Sequence, residues 1–204
     1  MEMENARAVY EVEMKFRVAD VKTFEDRLRM FGGILGQTVE EVDRFYQHPQ
    51  RDFSITDECL RVRRRKLPDG TEEKFLTYKG PKMDQETKTR REIEIRLDSR
   101  EPWELMLELL GFREKDMVRK FRRRCELLIL NQSVEVVLDF LPELEKSDDG
   151  GTFAELETIA SESDWKVKRE LIMNLAKDFG FSESIRTSYL ELLNKNRNVV
   201  VPPS

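Results

Sequence analysis

The segment from Tyr10 to Val18 alternates between charged and apolar residues, and this alternation is the most informative pattern in the chain. A period of two places neighbouring side chains on opposite faces of a β-strand. The segment therefore predicts a strand with one charged face and one apolar face. The charged face carries Glu11, Glu13, Lys15 and Arg17, and the apolar face carries Val12, Met14, Phe16 and Val18.

The same alternation recurs in four later segments of the chain. A single strand of this kind is usually half-exposed, with its charges in water. Because interior and exterior positions alternate along the strands of a barrel, repeated charged faces are also typical of a sheet that curls around a polar interior. The charged residues of these segments are Arg61, Arg63 and Arg65; Arg90, Glu92, Glu94 and Arg96; Lys120, Arg122 and Arg124; and Glu155 and Glu157.

Three helices are predicted, each after an alternating strand and each ending at a glycine next to an aromatic residue. Asp20 is a candidate N-cap, Pro102 fits the first turn of the second helix, and Ser163 or Asp164 begins the third. Apolar residues at helical spacing follow each start. These are Val21, Phe24, Leu28 and Phe31; Trp103, Met106, Leu107 and Leu110; and Trp165, Ile172, Leu175 and Phe179.

Further strand-like segments lie between these units and are joined by short turns. Short turns favour antiparallel pairing, so about eight strands with three or four helices predict an α+β barrel. We expect a single domain over residues 1–193, followed by a flexible C-terminal tail over residues 194–204. The additional strands are predicted at residues 39–46, 59–65, 74–79, 118–130 and 134–141, with turns at 67–70 and 131–133.

Composition narrows the possible functions. Charged residues make up 38% of the 204 residues, against the ~25% that is usual in globular proteins. The 41 acidic and 36 basic side chains leave a net charge of −5, which argues against a nucleic-acid binder. No apolar run approaches the ~20 residues of a membrane span, and no signal-peptide core is present. We therefore expect a cytoplasmic protein in which Cys59 and Cys125 are free thiols.

Spacing alone leaves three arrangements of the charged faces open. The faces can line the lumen of a barrel whose apolar outer surface packs against the helices. They can also form the solvated face of a flat antiparallel sheet, or residues 61–66 and 119–124 can be surface basic patches that bind RNA. Burying an ion costs several kcal/mol unless it is paired or binds a ligand. A charged lumen therefore favours a protein that binds a highly charged molecule.

A series of short motifs follows Glu11-x-Glu13-x-Lys15 along the chain. They are Asp43-Arg44-Phe45-Tyr46, Leu60-Arg61-Val62-Arg63, Thr77-Tyr78-Lys79-Gly80-Pro81, Arg90-Arg91-Glu92-Ile93-Glu94, Lys120-Phe121-Arg122, Asp139, and Gly151-Thr152-Phe153-Ala154-Glu155-Leu156-Glu157. In this order the motifs resemble the CYTH superfamily, also called the triphosphate tunnel metalloenzymes. The resemblance runs from about Tyr10 to Leu193 and is greatest to the class IV adenylate cyclase branch.

This resemblance implies an eight-stranded antiparallel β-barrel, with helices on its outside, that forms a tunnel for a triphosphate. Cations bind phosphate through charge-assisted hydrogen bonds, whereas carboxylates bind Mg²⁺ or Mn²⁺. By resemblance, Lys15 and Glu13 are the catalytic residues. The implied phosphate ligands are Arg61, Arg63, Lys79, Arg90, Lys120 and Arg122. The implied metal ligands are Glu11, Glu13, Glu94, Asp139, Glu155 and Glu157, with Glu92 as the alternative to Glu94.

The resemblance implies an enzyme but leaves two reactions open. An adenylate cyclase would convert ATP into cyclic AMP and pyrophosphate, which is the reaction that we favour. A triphosphatase would hydrolyse inorganic tripolyphosphate, a nucleoside triphosphate or thiamine triphosphate. The His-Phe pair found upstream of the first motif in some class IV cyclases is absent from residues 5–9.

A third possibility is a module that only binds phosphate, but such a module needs cations rather than six acidic residues. The expected partner is a triphosphate-containing small molecule, ATP or tripolyphosphate, with no nucleic acid and no membrane. Homodimer formation is left open.

Overall fold

The alternating segments of the sequence form β-strands, and the apolar stripes form helices. The computed structural model describes residues 9–98, 101–148 and 150–200. The strands are β1 (Val9–Arg17), β2 (Val39–Gln47), β3 (Cys59–Lys66), β4 (Glu72–Lys79), β5 (Arg90–Leu97), β6 (Arg113–Ile129), β7 (Gln132–Phe140) and β8 (Thr152–Ala160). The helices are α1 (Val21–Met30), α2 (Phe53–Thr56), α3 (Trp103–Leu109), α4 (Trp165–Asp178) and α5 (Tyr189–Val200), with a 3-10 turn at Pro142–Leu144.

The eight strands close into one barrel in the order β1-β5-β4-β3-β2-β6-β7-β8. Neighbouring strands are antiparallel throughout, as in β1 and β8, which pair from Tyr10 with Ala160 to Arg17 with Phe153. The seam between β1 and β5 is short and ends with Glu11 opposite Arg90. This topology confirms the predicted α+β fold with an eight-stranded antiparallel barrel and helices on its outside.

Tight turns set the register of adjacent strands. The predicted turn between β3 and β4 is closed by the amide of Leu67, which donates to the carbonyl of Thr71 at 2.8 Å. Leu130 and Asn131 form the loop between β6 and β7, with φ angles of 50° and 59°. Two-residue hairpins favour positive φ at both positions because their twist then matches that of the strands. A shift of one residue would exchange the faces of a strand, so these turns decide which side chains face inward.

The apolar faces of the strands point outward and are covered by helices. Val12 and Phe16 of β1 belong to a core that also contains Phe24 of α1 and Ile172 of α4. The ring of Phe16 stacks on the ring of Phe181, with 4.3 Å between their centroids. Because this core lies outside the barrel, the opposite faces of the same strands must line the lumen.

The charged faces of the strands do line the lumen. Arg63, Lys120 and Arg122 are buried, each with less than 5% of its surface exposed. The flat-sheet interpretation is therefore wrong, because the sheet closes on itself. Residues 61–66 and 119–124 do not form continuous basic surface patches, because every second cation of these segments points into the barrel. RNA binding by the outward cations of these segments stays a prediction of the basic-patch interpretation.

The end of the chain corrects one part of the predicted domain plan. Helix α5 continues to Val200, so residues 194–200 are helical where the sequence predicts a flexible tail. Arg197 donates to Asp116 at 2.8 Å and to Glu143 at 3.0 Å, and these ion pairs hold the helix against the barrel. The rest of the predicted tail, residues 201–204, lies outside the described residues. Within the described part, no helix is both long and apolar enough to cross a membrane.

Candidate active site

The lumen of the barrel is a cavity of about 1340 Å³. Its wall is formed by the inward faces of the strands, so residues that are distant in sequence converge there. Asp139 does not line this cavity, whereas the other predicted site residues do. The predicted residues in the wall are Glu11, Glu13, Lys15, Arg61, Arg63, Lys79, Arg90, Glu94, Lys120, Arg122, Glu155 and Glu157.

Three carboxylates converge where β1 meets β8, and we call them the three-carboxylate cluster: Glu11, Glu13 and Glu157. One ligand oxygen from each lies within 4.8 Å of the others. Strand parity places Glu11 and Glu13 on the same face of β1, and the register places Glu157 opposite Glu13. Carboxylate oxygens at this spacing suit a hard divalent cation such as Mg²⁺ or Mn²⁺. The three side chains therefore fit a metal ion.

Electrostatics also favour a cation at the three-carboxylate cluster. Burial raises the pKa of Glu157 well above its ordinary value, and Glu11 and Glu155 raise it further against the opposing effect of Arg122. Burial likewise raises the pKa of Glu11, although Lys79 Nζ donates to its Oε2 at 2.5 Å. A bound divalent cation would favour the ionised form of these carboxylates. Glu11 and Glu157 therefore have less positive charge nearby than their full ionisation requires.

The other predicted metal ligands lie outside this cluster. Glu155 accepts a hydrogen bond from Arg122, and Glu94 accepts one from Thr77 at 2.9 Å. Asp139 is fully buried, and Arg122 donates to its two carboxylate oxygens at 2.7 Å and 2.5 Å. This geometry makes Asp139 and Glu155 partners that orient Arg122. Metal binding by Glu94, Asp139 and Glu155 stays a prediction.

The cations of β3 and β6 lie across the barrel from β1. Arg63 donates to both carboxylate oxygens of Asp43, at 2.6 Å and 2.8 Å, much as Arg122 does to Asp139. Burial disfavours the charge of Asp43, but Arg63 and Arg61 hold the pKa of this carboxyl well below its ordinary value. Bidentate pairs fix the plane of a guanidinium group. The two buried arginines are therefore held rigidly in the wall of the cavity.

Two arginines of the wall retain unused hydrogen-bond donors. Within the described part of the chain, the buried Nε groups of Arg61 and Arg90 have no hydrogen-bond partner. A buried donor without an acceptor costs about 1–3 kcal/mol, so such groups normally have a partner in the functional complex. Both side chains line the cavity, where the oxygens of an anionic ligand can accept these bonds.

Lys79 connects the carboxylates to the cations. Its Nζ lies 2.5 Å from Glu11 Oε2 and 2.7 Å from Glu92 Oε2. Burial opposes the charge of Glu92, but Lys79 and a hydrogen bond with Glu11 lower its pKa to about 2. Opposing charges raise the pKa of Lys79 against the effect of burial. Lys79 therefore remains a cation next to the three-carboxylate cluster, in a position to bind a phosphate group there.

Lys15 is the most deeply buried amine of the site. Its Nζ donates to the backbone oxygen of Thr187 at 2.5 Å and lies 4.0 Å from the centre of the Tyr189 ring. Burial, with the positive charge of Lys88, lowers the pKa of Lys15 well below its ordinary value. A lysine with a lowered pKa can transfer a proton closer to neutral pH. This environment is consistent with the predicted catalytic role of Lys15, which stays a prediction.

Four further residues contribute to the site, or to the charges behind its wall, without having been predicted for it. Glu41 and Asp43 lie on the inward face of β2, and strand parity could have found them because they are two residues apart on one strand. Glu92, the predicted alternative to Glu94 as a metal ligand, lies on the same face of β5 and lines the cavity. Lys88 reaches the three-carboxylate cluster from the segment before β5. Tyr189 reaches the site from α5, where its hydroxyl donates to a buried carboxylate at 2.9 Å. No alternation marks Lys88 or Tyr189, because neither belongs to a strand.

Comparisons with known proteins agree with this architecture. The sequence model of the CYTH domain family matches residues 9–189. A relative from Methanocaldococcus jannaschii, named "Putative adenylate cyclase MJ0240", is 34% identical over 185 residues, which cover 89% of this chain and 97% of that protein. The solved structure of the PH1819 protein from Pyrococcus horikoshii OT3 has a TM-score of 0.75 at 33% identity, covering 92% of this chain and 99% of that one.

A more distant solved structure shares the fold. It is that of "Putative adenylyl cyclase HpAC1" from Hippeastrum, which is described as having a dominant triphosphatase activity. Its TM-score is 0.54 at 17% identity, and the match covers 91% of this chain and 95% of that one.

Proposed function

Because the chain belongs to the CYTH domain family, we propose that it is a metal-dependent enzyme that acts on a triphosphate bound in its barrel. One observation carries this proposal. A single cavity combines the three-carboxylate cluster, which fits a divalent cation, with a facing wall of buried cations. A triphosphate carries about four negative charges, and its phosphates need cationic hydrogen-bond donors and divalent metal together.

In the proposed mechanism, the cations bind and orient the triphosphate. Arg63 and Arg122 are held by Asp43 and Asp139, so they meet phosphate oxygens without having to be reorganised. The unused Nε donors of Arg61 and Arg90 gain acceptors when an anion binds. Such prearranged donors favour negative charge that develops on the phosphates as a bond breaks.

Glu11, Glu13 and Glu157 would hold Mg²⁺ or Mn²⁺ beside the bound phosphates. Such an ion, when bound, neutralises phosphate charge and polarises the phosphorus centre. Glu13 is also paired with Lys88, whose Nζ donates to Oε1 at 2.5 Å. This ion pair fixes the position of the carboxylate. Lys15, on which the charges of Glu155 and Glu13 act, is the residue that we propose to accept or orient the proton of the attacking hydroxyl group.

We favour adenylate cyclisation as the specific reaction, in which the ribose 3′-hydroxyl of ATP attacks the α-phosphate and pyrophosphate leaves. The cavity of about 1340 Å³ supports this choice, because it exceeds the space that a triphosphate alone needs. Its wall also includes apolar side chains, among them Phe45, Phe53 and Leu60. These can contact a nucleoside next to the charged region. The name of the archaeal relative points to the same reaction.

Hydrolysis by a triphosphatase is the second candidate function. The same charged wall would serve it, with water in place of the ribose hydroxyl. The feature that supports hydrolysis as a candidate is the absence from residues 5–9 of the His-Phe pair found in some class IV cyclases. The Hippeastrum protein indicates that this fold is compatible with triphosphatase activity.

Product analysis distinguishes the two reactions. Purified protein is incubated with ATP or with inorganic tripolyphosphate, each with Mg²⁺ or Mn²⁺, and the products are separated by anion-exchange chromatography. Cyclic AMP with an equal amount of pyrophosphate supports the cyclase, and orthophosphate from either substrate supports the triphosphatase. The protein carrying Glu13→Gln is the control for contaminating activities. Absence of turnover with both substrates would contradict the proposed enzyme activity.

A further inference from the structure

Glu41 on β2 is a buried carboxylate that the proposed mechanism does not use. It has no solvent exposure and does not contribute to the wall of the cavity. Its Oε1 accepts hydrogen bonds from Arg124 at 2.8 Å and from Arg65 at 3.2 Å. Its Oε2 lies 3.3–3.8 Å from three more cations, namely Arg63, Lys120 and Arg122.

The cations around Glu41 lie between this carboxylate and the cavity. All five of them line the cavity, so each can bind a ligand there while its charge is shared with the carboxylate behind. Burial disfavours the charge of Glu41, but Arg63 and Lys120 hold its pKa well below the ordinary value. The carboxylate is therefore an anion, although its Oε2 has no hydrogen-bond partner among the described residues.

We infer that Glu41 is an internal counter-anion that weakens the hold of the barrel on a polyphosphate. This inference rests on the proposed function, because it concerns how tightly the same wall binds phosphate. A fixed negative charge behind the wall lowers the positive potential that the ligand meets. It also limits the mutual repulsion of the five cations when no ligand is bound. Glu41 is thus a positioning residue that sets affinity without contacting the substrate.

The substitution Glu41→Gln removes the charge and keeps the shape. The amide oxygen can still accept from Arg124 and Arg65, and the amide nitrogen replaces an oxygen that accepts no hydrogen bond. We expect the variant to bind inorganic tripolyphosphate about tenfold more tightly. A tenfold change in affinity corresponds to about 1.4 kcal/mol, and the repulsion between one fixed negative charge and a nearby anion exceeds that value in a partly buried site. Calorimetric titration in excess chelator measures this affinity without any contribution from metal.

Glu40→Gln is the matched control. Glu40 is the preceding residue on β2, and its Oε1 accepts from Arg119 at 2.6 Å on the outer face. This control removes the same charge from the same strand, so its affinity for tripolyphosphate should match that of the wild-type protein. Wild-type affinity in Glu41→Gln, or weaker binding, would overturn the inference while leaving the proposed function intact. Absence of binding by the wild-type protein would contradict both.

A second pair of variants keeps the test decisive if Glu41→Gln does not fold. Arg124→Gln removes one cation and should weaken binding, whereas Glu41→Gln combined with Arg124→Gln restores the net charge of the group. We expect the double variant to bind tripolyphosphate about tenfold more tightly than Arg124→Gln alone. Equal affinities of these two proteins would show that the charge of Glu41 does not act on the ligand.

Discussion

Glu13 is the member of the three-carboxylate cluster that is both a predicted metal ligand and a predicted catalytic residue. It shares the cluster with Glu11 and Glu157, and Lys88 donates to it at 2.5 Å. We expect Glu13→Gln to lower turnover by about 100-fold or more, because a neutral amide is a poor ligand for a divalent cation. The melting temperature should change little, since size is kept and the lumen is polar.

Turnover of Glu13→Gln is measured with the substrate identified by product analysis, over a series of Mn²⁺ concentrations. Glu126→Gln is a suitable control, because Glu126 is exposed on β6, where its Oε1 accepts a hydrogen bond from Ser133 at 2.6 Å. Wild-type turnover of Glu13→Gln in excess chelator would exclude metal binding by this carboxylate.

Arg61 and Arg122 should separate ligand binding from stability. Arg61 has an unused Nε donor, and its neighbour Asp43 keeps Arg63 as a partner when Arg61 is removed. We therefore expect Arg61→Ala to weaken tripolyphosphate binding by about 1.5–3 kcal/mol, the range for a charged hydrogen bond, with a nearly unchanged melting temperature. Calorimetric titration and thermal denaturation of the same samples measure the two quantities.

Arg122→Ala should behave differently. Its removal leaves Asp139 and Glu155 without their main partner in the interior of the barrel. We expect a loss of about 3–5 kcal/mol in the free energy of unfolding, the usual effect of breaking a buried ion pair. Chemical denaturation measures this loss, and Asp139→Asn in the Arg122→Ala background should recover part of it. If Arg122→Ala had the same free energy of unfolding as Arg61→Ala, the ion pair between Arg122 and Asp139 would not stabilise the fold.

At the level of strands, the sequence predicted which residues share a face because side chains alternate with a period of two, and the family resemblance predicted that the charged face lines a lumen. Once Glu11 and Glu13 are placed inside, the antiparallel register carries Glu155 and Glu157 to the same side. The same reasoning extends to Glu41 and Asp43 on β2. Parity cannot say how deep each charge lies or which partner it has. For example, parity does not show that the two carboxylate oxygens of Asp139, a metal ligand only by resemblance, accept hydrogen bonds from Arg122.

The contribution of helix α5 to the site could not be predicted from the sequence. Its contribution to the site, Tyr189, depends on where the helix packs and not on any local period. Leu192 and Leu193 are buried with Phe153 of β8, so the helix is part of an apolar core. Removing residues 189–204 should therefore lower the free energy of unfolding by roughly 3–6 kcal/mol, from two buried leucines. Chemical denaturation tests this, with a chain ending at residue 200 as the control.

For the molecule as a whole, the barrel interior holds a dense set of opposite charges that partly compensate one another. Ion pairs such as Arg63 with Asp43 make the empty barrel feasible, while the three-carboxylate cluster and the unused donors of Arg61 and Arg90 remain incompletely satisfied. A divalent cation and a polyphosphate would satisfy both sets together. The stability of the fold should therefore depend on ligands, in addition to any effect on turnover.

This dependence gives the last prediction. Tripolyphosphate with Mn²⁺ should raise the melting temperature of the wild-type protein, because a ligand at about 100 times its Kd adds about 2.7 kcal/mol to the stability of the folded state. In thermal denaturation, Mn²⁺ alone and tripolyphosphate alone should each raise the melting temperature. The shift caused by tripolyphosphate should decrease as the salt concentration rises. Glu157→Gln should lose the response to Mn²⁺ and keep that to tripolyphosphate in chelator. If neither component shifts the wild-type melting temperature, the charges of the barrel are satisfied by their own ion pairs, and the lumen is a structural network instead of a binding site.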